Sequence, residues 1–130
     1  MKTYWDSSAL IKALHDQKIR SLIKPSENAT RQHSLAEIFS TLTKGVNFRY
    51  PPADAANMIE DLARDLFFVE LSREDTLDAI KAAGAQGVRG ARIHDLMHAQ
   101  AAKNYGADML KTLDDAGFST LKISARVEQP

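Results

Sequence analysis

The chain has 130 residues, enough for one domain with a single core, and its acidic and basic residues balance at 17 each. Zero net charge excludes a strongly basic surface overall, so nucleic acid could bind only through a local patch. The absence of cysteine excludes disulfides, thiol catalysis and thiolate metal sites. No apolar run approaches the roughly 20 residues of a membrane helix, and Asp6 interrupts any secretory signal, so we expect a cytoplasmic chain.

The first half of the chain alternates between short strands and helices. Aromatic residues predict a strand at residues 3–5, and the Asp6-Ser7-Ser8 run then caps a helix that extends to about residue 15. A weaker signal predicts a strand at residues 29–33. Apolar residues at helical spacing follow Ser34, and Pro51-Pro52 opens a third helix.

The second half continues the alternation, with three glycines marking a flexible connection in the middle. In chain order we predict a strand at residues 67–71, a capped helix at 72–83, a helix at 93–104, a strand at 108–112, a turn at 113–118, an edge strand at 121–124 and a frayed tail after Arg126.

This alternation predicts one α/β domain over residues 1–130, with three α/β/α layers and a short parallel sheet. Ligands of such sheets collect at the carboxyl ends of the strands. Asp6 and Asp114 each follow a predicted strand directly, so we expect them to share a site.

Four acids stand where a strand or helix meets a turn: Asp6, Glu37, Asp95 and Asp114. Each also has an ordinary structural explanation, as a helix cap, a solvated helix residue, a first-turn acid or a turn residue. Brought together, they would repel one another and raise some of their pKa values, and a bound cation would reverse that penalty. Carboxylate oxygens suit Mg²⁺ or Mn²⁺.

The stretches around these acids carry a resemblance to the PIN domain family, and within it to VapC-like ribonuclease toxins of toxin–antitoxin pairs. The four stretches are Tyr-Trp-Asp-Ser-Ser-Ala-Leu at 4–10, Ser-Leu-Ala-Glu-Ile-Phe at 34–39, Arg-Ile-His-Asp-Leu-Met-His-Ala at 92–99 and Thr-Leu-Asp-Asp-Ala-Gly-Phe at 112–118. Their order and spacing cover nearly the whole chain.

The resemblance implies a metal-dependent endoribonuclease that a cognate antitoxin protein holds inactive. It assigns Asp6, Asp95 and Asp114 to Mg²⁺ or Mn²⁺, with Glu37 as the fourth catalytic acid, which would hold or deprotonate the attacking water. It makes Ser8 and Thr112 supporting hydroxyls. The fourth motif leaves its register open: counting from Thr112 selects Asp114, whereas counting back from Phe118 selects Asp115. Gly117 stands where relatives often place an acid.

Arg89 and Arg92 precede Asp95 and are candidate contacts for an RNA backbone, although either could be an ordinary solvated charge. His94 and His98, at positions i and i+4, also suggest a zinc protease motif. The acid between them is an aspartate, and no third ligand follows at the required spacing, so we set this interpretation aside.

Two alternatives to a ribonuclease stay open. The protein could be a PIN-like binding module that cleaves nothing, or a nuclease that acts on DNA. Amphipathic helices, notably residues 52–66, are candidates for a homodimer face, but the core explains their apolar stripes equally well.

Overall fold

The computed structural model describes residues 1–130 as one α/β domain. The elements lie close to their predicted positions. The strands are β1 (Thr3–Trp5), β2 (Asn28–Arg31), β3 (Phe67–Val69), β4 (Met109–Lys111) and β5 (Arg126–Glu128). The helices are α1 (Ser7–Leu14), α2 (Gln17–Arg20), α3 (His33–Thr43), α4 (Pro52–Ala63), α5 (Arg73–Ala82), α6 (Ile93–Tyr105) and α7 (Asp115–Phe118).

The five strands form one parallel sheet in the order β3-β2-β1-β4-β5. Strand β1 is therefore central, and Trp5 at its end pairs with Lys111 at the end of β4. Because parallel strands share a carboxyl edge, the residues that follow β1 and β4 emerge side by side.

Neighbouring residues of β1 point to opposite faces of the sheet, as the pleat requires. Trp5 packs into a core cluster built with α1, α3 and α4, whereas Tyr4 packs into a second cluster with α5 and α6. The sheet thus lies between two helical layers, and the predicted α/β/α fold is confirmed. None of the helices is long and apolar enough to cross a membrane.

The carboxyl end of the chain differs from the prediction. Residues 121–124 form no strand, and the tail predicted to fray is strand β5, whose Arg126 N–H donates to the Asp108 carbonyl. Only Val127 of β5 is apolar, so its sequence carries little strand signal and its pairing with β4 defines it. The predicted turn at 113–118 contains the short helix α7, and α2 was not predicted.

Candidate active site

The site is built at the carboxyl edge of the two central strands. Asp6 follows β1, and its N–H donates to the Lys111 carbonyl at the end of β4. Asp6 as a whole residue is 5% exposed, and its carboxylate caps α1 by accepting from the Ala9 N–H at 2.9 Å. The predicted structural role of Asp6 as a helix cap is thus real, and it also points the carboxylate toward the end of β4.

Two hydroxyl groups hold the Asp6 carboxylate in place. Ser8 donates to Oδ1 at 2.7 Å, and the buried Thr112 donates to Oδ2 at 2.5 Å. Thr112 in turn accepts from the Asp114 N–H at 3.0 Å, and Ser8 accepts from the Leu113 N–H at 3.0 Å. The two hydroxyls therefore join the Asp6 turn to the turn that carries Asp114.

The turn after β4 distinguishes its two adjacent aspartates. Asp114 accepts from the Gly117 N–H at 3.1 Å and so caps α7, and any Cβ at position 117 would collide with its carboxylate. Asp115 instead accepts from the Gln129 side chain near β5. The charge of Asp114 also acts on Asp95. The geometry therefore favours Asp114 over Asp115 as the acid of the fourth motif, and glycine at 117 allows the present orientation of Asp114.

Asp95 lies half-buried in the first turn of α6. Burial raises the pKa of Asp95, and the negative charges of Asp114 and Asp6 raise it further. His98 and Arg92 act in the opposite direction but do not cancel the effect. Ionising Asp95 therefore costs free energy in the folded protein, as expected for carboxylates that a fold has brought close together.

Glu37 faces a different neighbour. Its Oε1 lies 3.0 Å from Nε2 of His98, and Nδ1 of that buried ring lies 2.7 Å from the Tyr4 hydroxyl. Burial acts to raise the pKa of Glu37, but the hydrogen bond and charge of His98, with His33 and Arg31, hold it below its usual value. The role of His98 was missed, because a histidine one turn after Asp95 has no spacing that identifies a partner on another helix.

The four acids do not form one tight cage. The charges of Asp6 and Asp114 act on Asp95, whereas Glu37 bonds to His98, whose charge also acts on Asp95. No three of the four acids bring ligand atoms within 4.8 Å of one another. Mg²⁺ commonly takes one or two carboxylates and completes its shell with water, so a wider arrangement suits it.

The donor set fits a hard divalent cation. It offers carboxylate oxygens alone, held by hydroxyl and backbone donors. Burial, with the charges of Asp114 and Asp6, raises the pKa of Asp95, and a bound cation would favour its ionised form. Asp6, Asp95 and Asp114 are the residues that would hold such an ion.

The two arginines predicted to contact RNA differ in their surroundings. Arg92 donates to the Gly117 carbonyl at 3.0 Å and to the Thr120 hydroxyl at 2.9 Å, so it ties the start of α6 to the α7 turn. Arg89 is exposed. The two histidines of the zinc motif also diverge: His98 is buried against Glu37, whereas His94 is exposed and stacks on His33.

We expect His98→Phe to raise the pKa of Glu37, because the ring volume stays but the hydrogen bond is lost and burial then dominates. In the wild type the pKa of Glu37 lies below its ordinary 4.5, so its ionised form stabilises the fold above pH 4.5. That contribution is lost as the pH falls through the folded-state pKa. NMR titration of the Glu37 carboxyl carbon checks this, with His15→Phe as the control; an unchanged pKa in His98→Phe would contradict the assigned role.

Fold and site together define a class: a small parallel α/β domain with aspartates gathered at the carboxyl edge of its central strands. The PIN domain family model matches residues 3–123. The chain belongs to the PIN domain family, whose members are typically nucleases that use divalent metal ions. A search of curated protein sequences found no match.

Three solved structures share the fold at low sequence identity. PAE2754 from Pyrobaculum aerophilum has a TM-score of 0.73 at 20% identity, over 98% of this chain and 89% of that one. VapBC2 from Rickettsia felis, bound to a DNA fragment from its promoter, has a TM-score of 0.71 at 16% identity, and the match covers 100% of this chain and 99% of that one. VapBC-1 from nontypeable Haemophilus influenzae has a TM-score of 0.69 at 17% identity, and the match covers 99% of this chain and 98% of that one. The likeness extends over nearly the full length of each chain.

Proposed function

We propose that the protein is an endoribonuclease dependent on Mg²⁺ or Mn²⁺, and the VapC-like toxin of a toxin–antitoxin pair. One observation carries the proposal: Asp6 and the Asp114 turn are joined through Ser8 and Thr112 at the carboxyl edge of the sheet, close enough to Asp95 that burial, together with the charges of Asp114 and Asp6, raises the pKa of Asp95. A bound divalent cation would offset the unfavourable charge of these carboxylates.

The proposed mechanism assigns a task to each acid. A bound ion would supply the Lewis acidity that activates water for attack on phosphorus and stabilises charge on the phosphate oxygens. Asp6, Asp95 and Asp114 would hold it, and Ser8 and Thr112 keep Asp6 in a fixed orientation. Glu37, ionised at neutral pH, accepts a hydrogen bond from the attacking water and either holds it in place or helps to deprotonate it.

RNA would lie across this edge of the sheet with its phosphates near the start of α6. Arg89, exposed just before that helix, is the proposed phosphate contact. Arg92 supports the site by holding the α7 turn, and its guanidinium is already engaged there. Because the chain has no net charge, we expect RNA to bind only through this local patch and to bind weakly at high salt.

The proposed partner is a small antitoxin protein that covers the site. Two proteins of the same fold, from Rickettsia felis and Haemophilus influenzae, were solved as VapBC assemblies. We further propose a homodimer and a cytoplasmic location. Light scattering of the purified chain would test the dimer, with a monomer at all concentrations as the contrary result.

A cleavage assay on matched single-stranded RNA and DNA tests the proposed activity. We expect cleavage of RNA within the chain, dependent on Mg²⁺ or Mn²⁺ and abolished by EDTA. Cleavage of DNA alone would favour the DNA-directed alternative. Binding without cleavage under every metal condition would favour the non-catalytic module.

A further inference from the structure

A second group of ligating side chains lies on the rim of the proposed active site. His33 and Glu37 occupy the same face of α3, one turn apart, and His94 reaches them from the start of α6. One ligand atom from each lies within 4.8 Å of the other two. It is the one group of histidines and acids in the structure that meets this distance.

The surroundings of the group leave room for an ion and its water. The His33 and His94 rings stack 5.5 Å apart with only 12° between their planes, and both rings are exposed. His33 lines a depression on each side, one shared with His94 and the other with Glu37. Ligand atoms around a tetrahedral ion lie about 3.3 Å apart at bond lengths near 2.0 Å, so small side-chain rotations would complete the site.

The donor set separates this group from the aspartates. Two imidazole nitrogens and one carboxylate oxygen suit Zn²⁺ and similar transition metals, whereas Mg²⁺ prefers oxygen ligands alone. Arg31 lies close enough for its charge to act on His33 and Glu37, and it opposes a cation. We therefore expect reversible binding here and not a permanent structural metal.

We propose that His33, Glu37 and His94 form a binding site for a Zn²⁺-class transition-metal ion. Glu37 connects this group to the proposed active site, because its carboxylate also forms the hydrogen bond to His98. An ion on the rim would draw the Glu37 carboxylate away from His98 and from the attacking water. Occupancy should therefore inhibit cleavage, and this consequence alone rests on the proposed function.

NMR of the untagged chain with ¹⁵N-labelled histidine tests Zn²⁺ binding and does not depend on RNA cleavage. Zn²⁺ is titrated in excess Mg²⁺, which competes with it for carboxylate-only sites. We expect the ring nitrogens of His33 and His94 to shift together at one equivalent. His33→Asn and His94→Asn should each weaken binding at least about tenfold. His15→Asn, a histidine that bonds to Tyr50 instead, should leave binding unchanged.

Zn²⁺ that shifts neither ring, or that binds His94→Asn as tightly as wild type, overturns the site.

A second experiment measures Zn²⁺ inhibition of Mg²⁺-supported RNA cleavage. We expect the inhibitory concentration to rise at least about tenfold in His94→Asn. Equal inhibition of both proteins overturns the inhibitory role. If neither protein cleaves RNA, the proposed function fails while the NMR result still decides the metal site.

Discussion

Asp6→Asn should lower RNA cleavage at least about a hundredfold while the protein stays folded. The substitution removes the negative charge at the centre of the aspartate group. It keeps an amide oxygen that can still cap α1 through the Ala9 N–H and accept from Ser8. The new amide N–H can donate to the Thr112 hydroxyl, which in the wild type donates to Asp6. We therefore expect the free energy of unfolding to change by only about 1 kcal/mol.

Asp16→Asn is the matched control, because Asp16 also caps a helix through backbone N–H groups, those of Lys18 and Ile19. It lies outside the aspartate group, so cleavage should match wild type. Initial rates and thermal melts of the three proteins make the comparison. Full cleavage by Asp6→Asn would show that the acid is a cap and nothing more.

Trp5→Ala should cost about 3–5 kcal/mol of unfolding free energy, a large part of the total for a domain of this size. The indole is 1% exposed and fills the cluster between the sheet and the helices α1, α3 and α4. Its N–H donates to the Asn28 side chain at 2.7 Å, so truncation also strands a buried amide oxygen. Urea unfolding monitored by circular dichroism measures the loss.

Phe67→Ala provides the aromatic control for this comparison. Phe67 lies on the edge strand β3, is 53% exposed and stacks on Tyr105. Its truncation should cost about 1 kcal/mol or less. Equal losses from the two variants would mean that Trp5 does not carry the core that positions Asp6.

The fold was predictable because strand and helix periodicities alternate cleanly and because Asp6 and Asp114 stand at helix starts, whereas Glu37, expected near a helix boundary, lies inside α3. Residues 3–5, for example, are aromatic and end at a capping aspartate, which is enough to place β1, Asp6 and α1. Strand β5 was not predictable, since a single valine between charged residues has no strand pattern. Its pairing with β4 supplies what its own sequence lacks.

The sequence indicated that Asp6 and Asp114 lie at one edge of the sheet, but it did not indicate the contacts between the candidate residues. The placement of Asp6 and Asp114 after strands indicates their shared edge. The partner of Glu37 depends on how α3 and α6 cross, and helix crossing is not encoded in the spacing within either helix. The stacking of His33 on His94 likewise depends on how α3 and α6 cross.

Anomalous diffraction from crystals soaked in Mn²⁺ would locate the proposed ion directly. We expect a peak at the carboxyl edge of the sheet, within about 2.0–2.4 Å of carboxylate oxygens from two or more of Asp6, Asp95 and Asp114. The peak should vanish in Asp95→Asn crystals. Mn²⁺ that binds only elsewhere, or no peak at saturating Mn²⁺, would contradict a metal-dependent nuclease built on these aspartates.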